Sequence, residues 1–262
     1  MRILITAGGT TEKIDPVRKI TNMATGRLGS RIAEEFVHQA GDRVETIYYV
    51  GEEGTAVPNL ECLKRIRTEG VESVRRALTE ILTAHRIDAV AHSMAVSDYA
   101  VGSLTTVTDL AGSLADALIA AGREALSDRG RLAARMAGWI RQNGRQIDRG
   151  AKVSSGYPDL LLAMRQTPKL IGIIKSLQPS AVLVGFKLLN GVTRRELLDA
   201  GYGVLRQNAC DLVLANDLEG IGAGRHQGLL IRPDRSYQTF GTKEEIAQGI
   251  VRQVLGILDG RA

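Results

Sequence analysis

The chain begins with the stretch Met1–Thr11, MRILITAGGTT, in which an apolar run leads directly into two glycines. Such a run predicts a buried β-strand, and the glycines predict a tight turn with exposed backbone N–H groups. A phosphate can approach such a main chain closely, and a helix that begins nearby adds partial positive charge. Because the spacing differs from the Gly-x-Gly-x-x-Gly of dinucleotide sites, the motif by itself indicates an α/β protein without naming its ligand.

A long polar segment, Ile14–Gly29, follows this strand, and we expect it to be a binding loop. The next residues, Gly29–Gly41, have apolar side chains at helical spacing and end on a glycine, which is typical of a helix and its stop signal. The first forty residues therefore predict a strand, a loop and a helix in that order.

Strands and helices continue to alternate through most of the chain. The predicted strands after the first are Val44–Val50, Ala89–Met94, Ala181–Phe186 and Asp211–Asn216, and the predicted helices are Val71–Ala84, Pro168–Leu177 and Thr193–Arg206. This alternation predicts an α/β protein with a three-layer, Rossmann-like fold and a mainly parallel sheet. Ligands of such sheets bind beyond the carboxyl ends of the strands.

Two segments interrupt this alternation. Residues 103–150 are rich in Ala, Gly and Arg and contain a helical pattern over Leu110–Leu126, so we interpret them as a helical insertion or flap within one domain of residues 1–262. The segment Gly228–Phe240 predicts a hairpin extension, followed by a helix whose capping pattern begins at Thr242.

Composition narrows the function class. The net charge is +5, but the Lys and Arg residues are scattered and only 4% of residues are aromatic, so nothing suggests a nucleic-acid surface. We expect instead an enzyme that handles anionic small molecules. The two cysteines, Cys62 and Cys210, lack metal-ligand spacing, and no apolar run reaches membrane length, which favours a cytoplasmic protein without a membrane segment.

Several polar residues at predicted strand ends and loops are candidates for a site, although each also has an ordinary structural explanation. Asn22 can cap a helix, Arg18 can be a surface charge, and Asp98 can close a turn at a strand end. Lys152 precedes a Ser-Ser-Gly turn, where an ammonium group suits a triphosphate. Phe186 ends an apolar strand, where a core role and a base-packing role are both open.

Two histidines have no metal-like partner nearby in the sequence. They are His92 and His226. For both, we favour a structural or exposed role.

Six motifs occur in one order along the chain. They are Leu4–Thr10 (LITAGGT), Ile14–Asn22 (IDPVRKITN), His92–Tyr99 (HSMAVSDY), Lys152–Ser155 (KVSS), Val184–Leu189 (VGFKLL) and Ala215–Leu218 (ANDL). Together they resemble the phosphopantothenate–cysteine ligases, also called phosphopantothenoylcysteine synthetases. The resemblance covers nearly the whole chain except about 103–150. The chain looks like the stand-alone bacterial form, which lacks the flavin-binding decarboxylase domain of the fused enzymes.

The resemblance implies a ligase that joins 4′-phosphopantothenate to cysteine in coenzyme A biosynthesis. In that family the carboxylate attacks the α-phosphate of a nucleoside triphosphate, which gives an acyl-nucleotidylate and pyrophosphate. The cysteine amine then displaces the nucleotide. CTP is the expected co-substrate of a bacterial member, with ATP as the alternative, and Mg2+ is the expected ion.

The resemblance also implies roles for individual residues. The residues expected to bind nucleotide phosphates through backbone amides are Gly8, Gly9, Gly26 and Gly29. Lys152 would contact the triphosphate, Phe186 the base, and Asn216 the nucleotide region. Asn22 and Lys152 are the residues expected to act in catalysis.

On the substrate side, the resemblance implies that Asn22 holds phosphopantothenate and steadies the acyl intermediate. Ala95 and Asp98 would line the junction of nucleotide and pantothenate. The arginine that matches Arg18 reaches the neighbouring subunit's site in this family, which implies a homodimer. No protein ligand for a metal ion is expected.

Three features depart from the family's pattern. The serines that often follow the asparagine are Ala24 and Thr25 here. Lysines common before the Ala-Asn-Asp strand are replaced by Gly203 and Gln207, so charge for the triphosphate is expected from elsewhere. Finally, residues 103–150 are longer and more helical than the family pattern.

Two other functions are alternatives to the ligase. The first is an NAD(P)-dependent reductase on a Rossmann fold, but no acidic residue clearly ends the strand at Val50 to bind a ribose. The second is a catalytically silent nucleotide-binding protein, which the substitutions at Ala24, Gly203 and Gln207 motivate.

Overall fold

The computed structural model describes residues 1–122, 128–142 and 146–260. The chain forms two compact units, each of which makes most of its residue contacts internally. The first unit comprises Met1–Thr11, Thr21–Ser97 and Pro168–Ala262, and the second comprises Glu12–Ile20 and Asp98–Thr167. Within the described residues, no helix is both long enough and apolar enough to cross a membrane.

The first unit is built on an eight-stranded sheet. In spatial order its strands are β14 (Tyr237–Phe240), β13 (Gly228–Ile231), β10 (Leu212–Asp217), β9 (Val182–Leu189), β6 (Ala89–His92), β1 (Arg2–Thr6), β4 (Thr46–Gly51) and β5 (Leu63–Arg67). Neighbours from β10 to β5 run parallel, whereas β13 and β14 continue the sheet as antiparallel strands. The antiparallel pair is the hairpin that the sequence predicts.

Helices cover both faces of this sheet. One face carries α1 (Arg27–Ala40) and α7 (Lys243–Asp259), and the other carries α2 (Gly70–Ala84), α5 (Ile171–Leu177) and α6 (Arg194–Gln207). Alternate residues of each central strand enter opposite cores: Ile3 packs with α1 and α7, whereas Leu4 packs on the α2 side. The three-layer, mainly parallel α/β fold predicted from the sequence is therefore confirmed.

The second unit contains a two-stranded antiparallel sheet and two helices. The strands are β7 (Tyr99–Thr105) and β8 (Leu161–Gln166), with an irregularity between Val101 and Ser103, and the helices are α3 (Val107–Ala121) and α4 (Arg129–Gln142). The predicted helix over Leu110–Leu126 corresponds to α3, and its last residues, 123–126, lie outside the described part. Thr106 caps α3 by accepting a hydrogen bond from the Asp109 amide at 3.0 Å.

Short strands also occur where the sequence suggests only a polar loop. A two-stranded ribbon of β2 (Thr11–Lys13) and β3 (Lys19–Thr21) occupies part of that segment, and a smaller ribbon of β11 (Ile221–Gly222) and β12 (Arg225–His226) follows β10. Strands of two or three residues are too short to show an alternating apolar pattern, so periodicity does not detect them.

Candidate functional site

The loops after β1 and β6 meet at the point where the strand order of the sheet reverses. Successive strands lie on opposite sides of β1, with β4 on one side and β6 on the other, which creates the crevice in which open α/β sheets bind ligands. The Ala95 amide donates to the Gly8 carbonyl at 2.8 Å, and the Thr10 amide donates to the Ala95 carbonyl at 3.0 Å. Two loops that the sequence places far apart are therefore joined by their backbones.

Asn22 ties a third segment to these loops. Its amide N–H donates to the Thr10 carbonyl at 3.2 Å. Its side-chain Nδ2 donates to the Ala95 carbonyl at 2.9 Å and to Ser97 Oγ at 3.1 Å. We call residues Gly8–Thr10, Asn22, Ala95 and Ser97 the loop junction.

Two hydroxyl groups complete the loop junction. Thr10 Oγ1 accepts from the Ser97 amide at 2.7 Å and donates to Ser97 Oγ at 2.9 Å. Thr10 is fully buried, so these hydrogen bonds replace those it would make with water. Neither Thr10 nor Ser97 is among the predicted binding residues, because a hydroxyl in a loop carries no signal of its own.

Gly9 is the residue around which the loop junction closes. A β-carbon added to it would lie 2.9 Å from Asn22 Cβ and 3.0 Å from the Asn22 carbonyl carbon, and would overlap the carbonyl oxygen. Gly8, next to it, has a φ of +81°, which side-chain-bearing residues rarely adopt. Close packing and backbone conformation therefore explain why glycine occupies both positions. Their role in binding phosphate stays a prediction.

A buried carboxylate, that of Glu52, binds the backbone next to the loop junction. Glu52 is 6% exposed. Its Oε1 accepts from the Thr11 amide and the Gly70 amide, both at 2.8 Å, which connects the residue after Thr10 to the start of α2. The sequence contains no pattern that identifies this glutamate, since its partners are backbone groups on distant segments.

The start of α1 has the features of an anion site. Gly26 occupies the N-cap position with a φ of 77°, no side chain caps the helix, and its first turn contains no acidic residue. The first N–H groups of a helix are unsatisfied within it and carry partial positive charge. At Gly29 an added β-carbon would lie 2.6 Å from Ala7 Cβ, so α1 packs closely on the end of β1.

Asn216 and Phe186 lie on neighbouring strands. Asn216 is the penultimate residue of β10 and is buried, with its Nδ2 3.0 Å from His226 Nε2. Phe186 is half-buried in β9, where it packs against the core formed with α1 and α7. Core packing is therefore observed for Phe186, and contact with a base stays a prediction.

His92, at the end of β6, serves the fold. It is 7% exposed, and its Nδ1 is 2.8 Å from Thr6 Oγ1. Burial lowers the pKa of His92 to about 4, because the charged ring loses its hydration. The ring is therefore neutral at physiological pH, in agreement with the structural role favoured for it.

Three predicted site residues, Arg18, Asp98 and Lys152, belong to the second unit. Lys152 and Asp98 are exposed. Arg18 Nε and Nη2 donate to Asp15 Oδ2 at 3.0 and 2.6 Å. This guanidinium and the backbone amides around Asp15 hold the pKa of its carboxyl well below the ordinary range.

Arg18 also contacts the segment that carries Lys152. Its Nη2 donates to the Val153 carbonyl at 2.9 Å, and the Val153 amide donates to Asp15 Oδ2 at 3.1 Å. The predicted Arg18 and Lys152 motifs are thus joined within one unit. In the first unit, the loop junction brings together Gly8, Gly9, Asn22 and Ala95.

Comparisons with known proteins identify relatives along the whole chain. Residues 1–107 match the family model of the DNA/pantothenate metabolism flavoprotein C-terminal domain. The coenzyme A biosynthesis bifunctional protein CoaBC of Thermococcus kodakarensis is 30% identical over 248 residues, which are 94% of this chain and 49% of that protein. This chain spans about half the length of the curated CoaBC relatives that it matches.

Solved structures agree with this match. The crystal structure of the DNA/pantothenate metabolism flavoprotein from Streptococcus pneumoniae is similar with a TM-score of 0.79 and 30% identity, over 98% of this chain and 99% of that one. A Cab2 mutant in complex with phosphopantothenate-cysteine has a TM-score of 0.68 at 18% identity, over 99% of this chain and 86% of that one, and shares the fold.

Proposed function

Because this chain belongs to the family of the DNA/pantothenate metabolism flavoprotein C-terminal domain, we propose that it is a ligase that joins 4′-phosphopantothenate to cysteine in coenzyme A biosynthesis. The observation that carries the proposal is the loop junction, where Asn22 binds Ala95 and Ser97 at the switch point of the sheet. This is where a ligand of an open α/β sheet binds, and it is formed by the motifs that resemble the ligases.

The reaction proceeds in two steps. An oxygen of the phosphopantothenate carboxylate bonds to the α-phosphorus of the nucleoside triphosphate, and the bond from that phosphorus to the bridging oxygen breaks to release pyrophosphate. The cysteine amine then attacks the acyl carbon, the bond to the nucleotide oxygen breaks, and the amine loses a proton. Such chemistry depends on positioning and on stabilisation of charge rather than on a protein nucleophile.

The residues of the first unit bind and orient both substrates. The amides near Gly8, Gly9, Gly26 and Gly29 face the nucleotide phosphates, Phe186 meets the base, and Asn216 contacts the nucleotide. Asn22 steadies the acyl intermediate beside Ala95. Support for this assignment comes from the uncapped start of α1 and from the two hydrogen bonds that fix the Asn22 amide.

The residues of the second unit supply charge and contact the partner. Lys152 contacts the triphosphate, and Asp98 lines the substrate junction. The protein acts as a homodimer in which Arg18 reaches the neighbouring site. Asp15 supports this proposal because it holds Arg18 in one orientation, while 42% of the arginine side chain is still exposed.

CTP is the preferred co-substrate, with ATP as the alternative, and the triphosphate brings Mg2+ with it. In the part of the chain that the structure describes, no three or more His, Cys, Asp or Glu side chains are grouped to hold a metal ion. We assign the ion to the triphosphate, and no step of the mechanism depends on a protein ligand for it.

Pyrophosphate release tests the proposal. We expect the purified protein to produce pyrophosphate from CTP when phosphopantothenate, cysteine and magnesium are present. We also expect Asn22→Ala to slow the cysteine-dependent step, since both donations from Nδ2 are lost. An absence of pyrophosphate with both CTP and ATP would refute the ligase, and tight binding of NADH in a parallel titration would favour the reductase.

A further inference from the structure

A cationic cavity lies beside the start of α1 in the first unit. Its volume is about 410 Å³. The charged and imidazole side chains that line it are Arg27, Arg31, Glu34, Arg225, His226, Lys243 and Glu244. Four of them are cationic and two are acidic, so the lining has an excess of positive charge before His226 is considered.

The two acidic side chains are already paired. Arg31 binds Glu34 at 2.9 Å and Glu244 at 3.3 Å. Within residues 1–122, 128–142 and 146–260, Arg27 and Lys243 have no carboxylate within 4.0 Å. Arg27 is also the first residue of α1, where an anion is favoured over a cation. The unpaired charge at this cavity therefore suits an anionic ligand.

His226 provides an independent indication of a ligand. It is 7% exposed, and its Nδ1 is buried without a hydrogen-bond partner in the described structure. An unsatisfied buried polar atom costs stability, and a ligand bound at the cavity can supply the missing partner. The backbone holds the residue in place, because the His226 amide donates to the Gly241 carbonyl at 2.7 Å.

The protonation of His226 follows from its neighbours. Burial and the nearby Lys243 ammonium lower its pKa, so the ring is neutral at physiological pH. Asn216 presents its Nδ2, which only donates, to His226 Nε2 at 3.0 Å. Nε2 is therefore the acceptor, and the single ring proton lies on Nδ1. Asn216 thus makes Nδ1–H the free donor.

We propose that His226 is a further nucleotide-binding residue, whose Nδ1–H donates to an oxygen of the phosphate chain while Arg27 and Lys243 supply charge. The inference rests on the proposed nucleotide-dependent function and deepens it. It identifies cations that compensate for the lysines replaced by Gly203 and Gln207. A polyphosphate matches this lining better than an uncharged base does, since it carries several negative charges.

Binding measured by calorimetry tests this inference without any need for turnover. The full chain is titrated with CTP, CMP and inorganic tripolyphosphate. We expect His226→Ala and Lys243→Ala each to weaken binding of CTP and tripolyphosphate by about tenfold, as for loss of a charge-assisted hydrogen bond or ion pair. Binding of CMP should change less, because CMP lacks the outer phosphates.

Two controls separate binding from folding. His226→Gln retains a side-chain N–H donor and should keep more of the affinity than His226→Ala. Arg252→Ala removes an exposed cation from the same helix as Lys243 and should leave binding unchanged. If His226→Ala fails to fold, Lys243→Ala still tests the cavity.

Three results would overturn the inference. They are wild-type affinity for tripolyphosphate in a folded His226→Ala variant, equal losses in His226→Gln and His226→Ala, and an absence of tripolyphosphate binding to the wild-type chain. A different result would contradict the ligase proposal alone: nucleotide binding would depend on His226, but no pyrophosphate would be released.

Discussion

Replacement of Gly9 by alanine tests whether the loop junction is required for function. The new β-carbon would lie 2.9 Å from Asn22 Cβ and would overlap the Asn22 carbonyl oxygen. Ordinary carbon contacts are about 3.5–4.0 Å, so one of the two segments must move by roughly 0.5–1 Å. The Asn22 backbone is itself bonded to Thr10, and the loops therefore cannot separate without loss of hydrogen bonds.

A displacement of this size affects catalysis more than stability. Misplacement of reacting groups by about 1 Å can cost on the order of 100-fold in rate, whereas overpacking costs about 1–3 kcal/mol of folding free energy. We therefore expect Gly9→Ala to fold and to release pyrophosphate about 100-fold more slowly than the wild type. The assay is pyrophosphate release under saturating CTP, with thermal unfolding measured on the same samples.

Gly256→Ala is the matched control, because a β-carbon at this position on α7 meets no atom within 4 Å. It should retain the wild-type rate. A folded Gly9→Ala variant with wild-type activity would refute the argument, since it would show that the approach of Asn22 to Gly9 does not position the reacting groups. Equal loss of activity in Gly256→Ala would point to a general effect of substitution.

Two further predictions concern stability. In α6, a β-carbon at Gly201 would lie 2.9 Å from Ala215 Cβ, whereas one at Gly203 meets nothing within 4 Å. Gly203→Ala should therefore be stabilised by about 1 kcal/mol, the gain in helix propensity. Gly201→Ala should be less stable than Gly203→Ala by about 1–3 kcal/mol, because its new β-carbon overpacks the core. Urea denaturation measures this difference, and equal stabilities would contradict the packing of α6 on β10. For His92, the folded pKa of about 4 lies below the ordinary 6.5, so the unfolded state binds more protons and stability should fall by about 3 kcal/mol as the pH drops from 6.5 to 4. A His92→Gln variant should lose this part of the pH dependence, and an unchanged slope in its unfolding curves would show that another group is responsible.

The elements that form the centre of the fold are those with strong local signals. The runs Ile3–Ile5 and Ala181–Phe186 contain no polar side chain, as expected for parallel strands buried on both faces. The boundaries of the helices that flank the sheet agree to within about three residues, slightly more than the one or two residues by which assigned helix ends ordinarily vary. Hydrophobic periodicity therefore predicted the flanking helices and the sheet except for its edge strand β5.

The short strands and the second unit were harder to predict. Strand β8, Leu161–Gln166, contains several exposed residues, so its pattern lacks the alternation of a half-buried strand. It forms because its backbone pairs with β7, more than fifty residues earlier in the sequence. A strand whose main support is its partner's backbone has little sequence signature.

The candidate site shows the same division. Asn22 and Ala95 could be selected from their motifs, but the hydrogen bond between them joins residues 73 positions apart. Glu52 and His226 carried no motif, because their roles depend on a backbone amide or a side chain of another element. They could be recognised only once those partners were located.

The sequence by itself determined the three-layer α/β fold and the glycine turn after the first strand, because burial and turn geometry act over a few neighbouring residues. Tertiary structure alone decided that the turn meets Asn22 and Ala95, and that Asn216 orients His226. Those contacts depend on the order and register of parallel strands. Local sequence determines neither, because long crossover connections separate strands that are neighbours in the sheet.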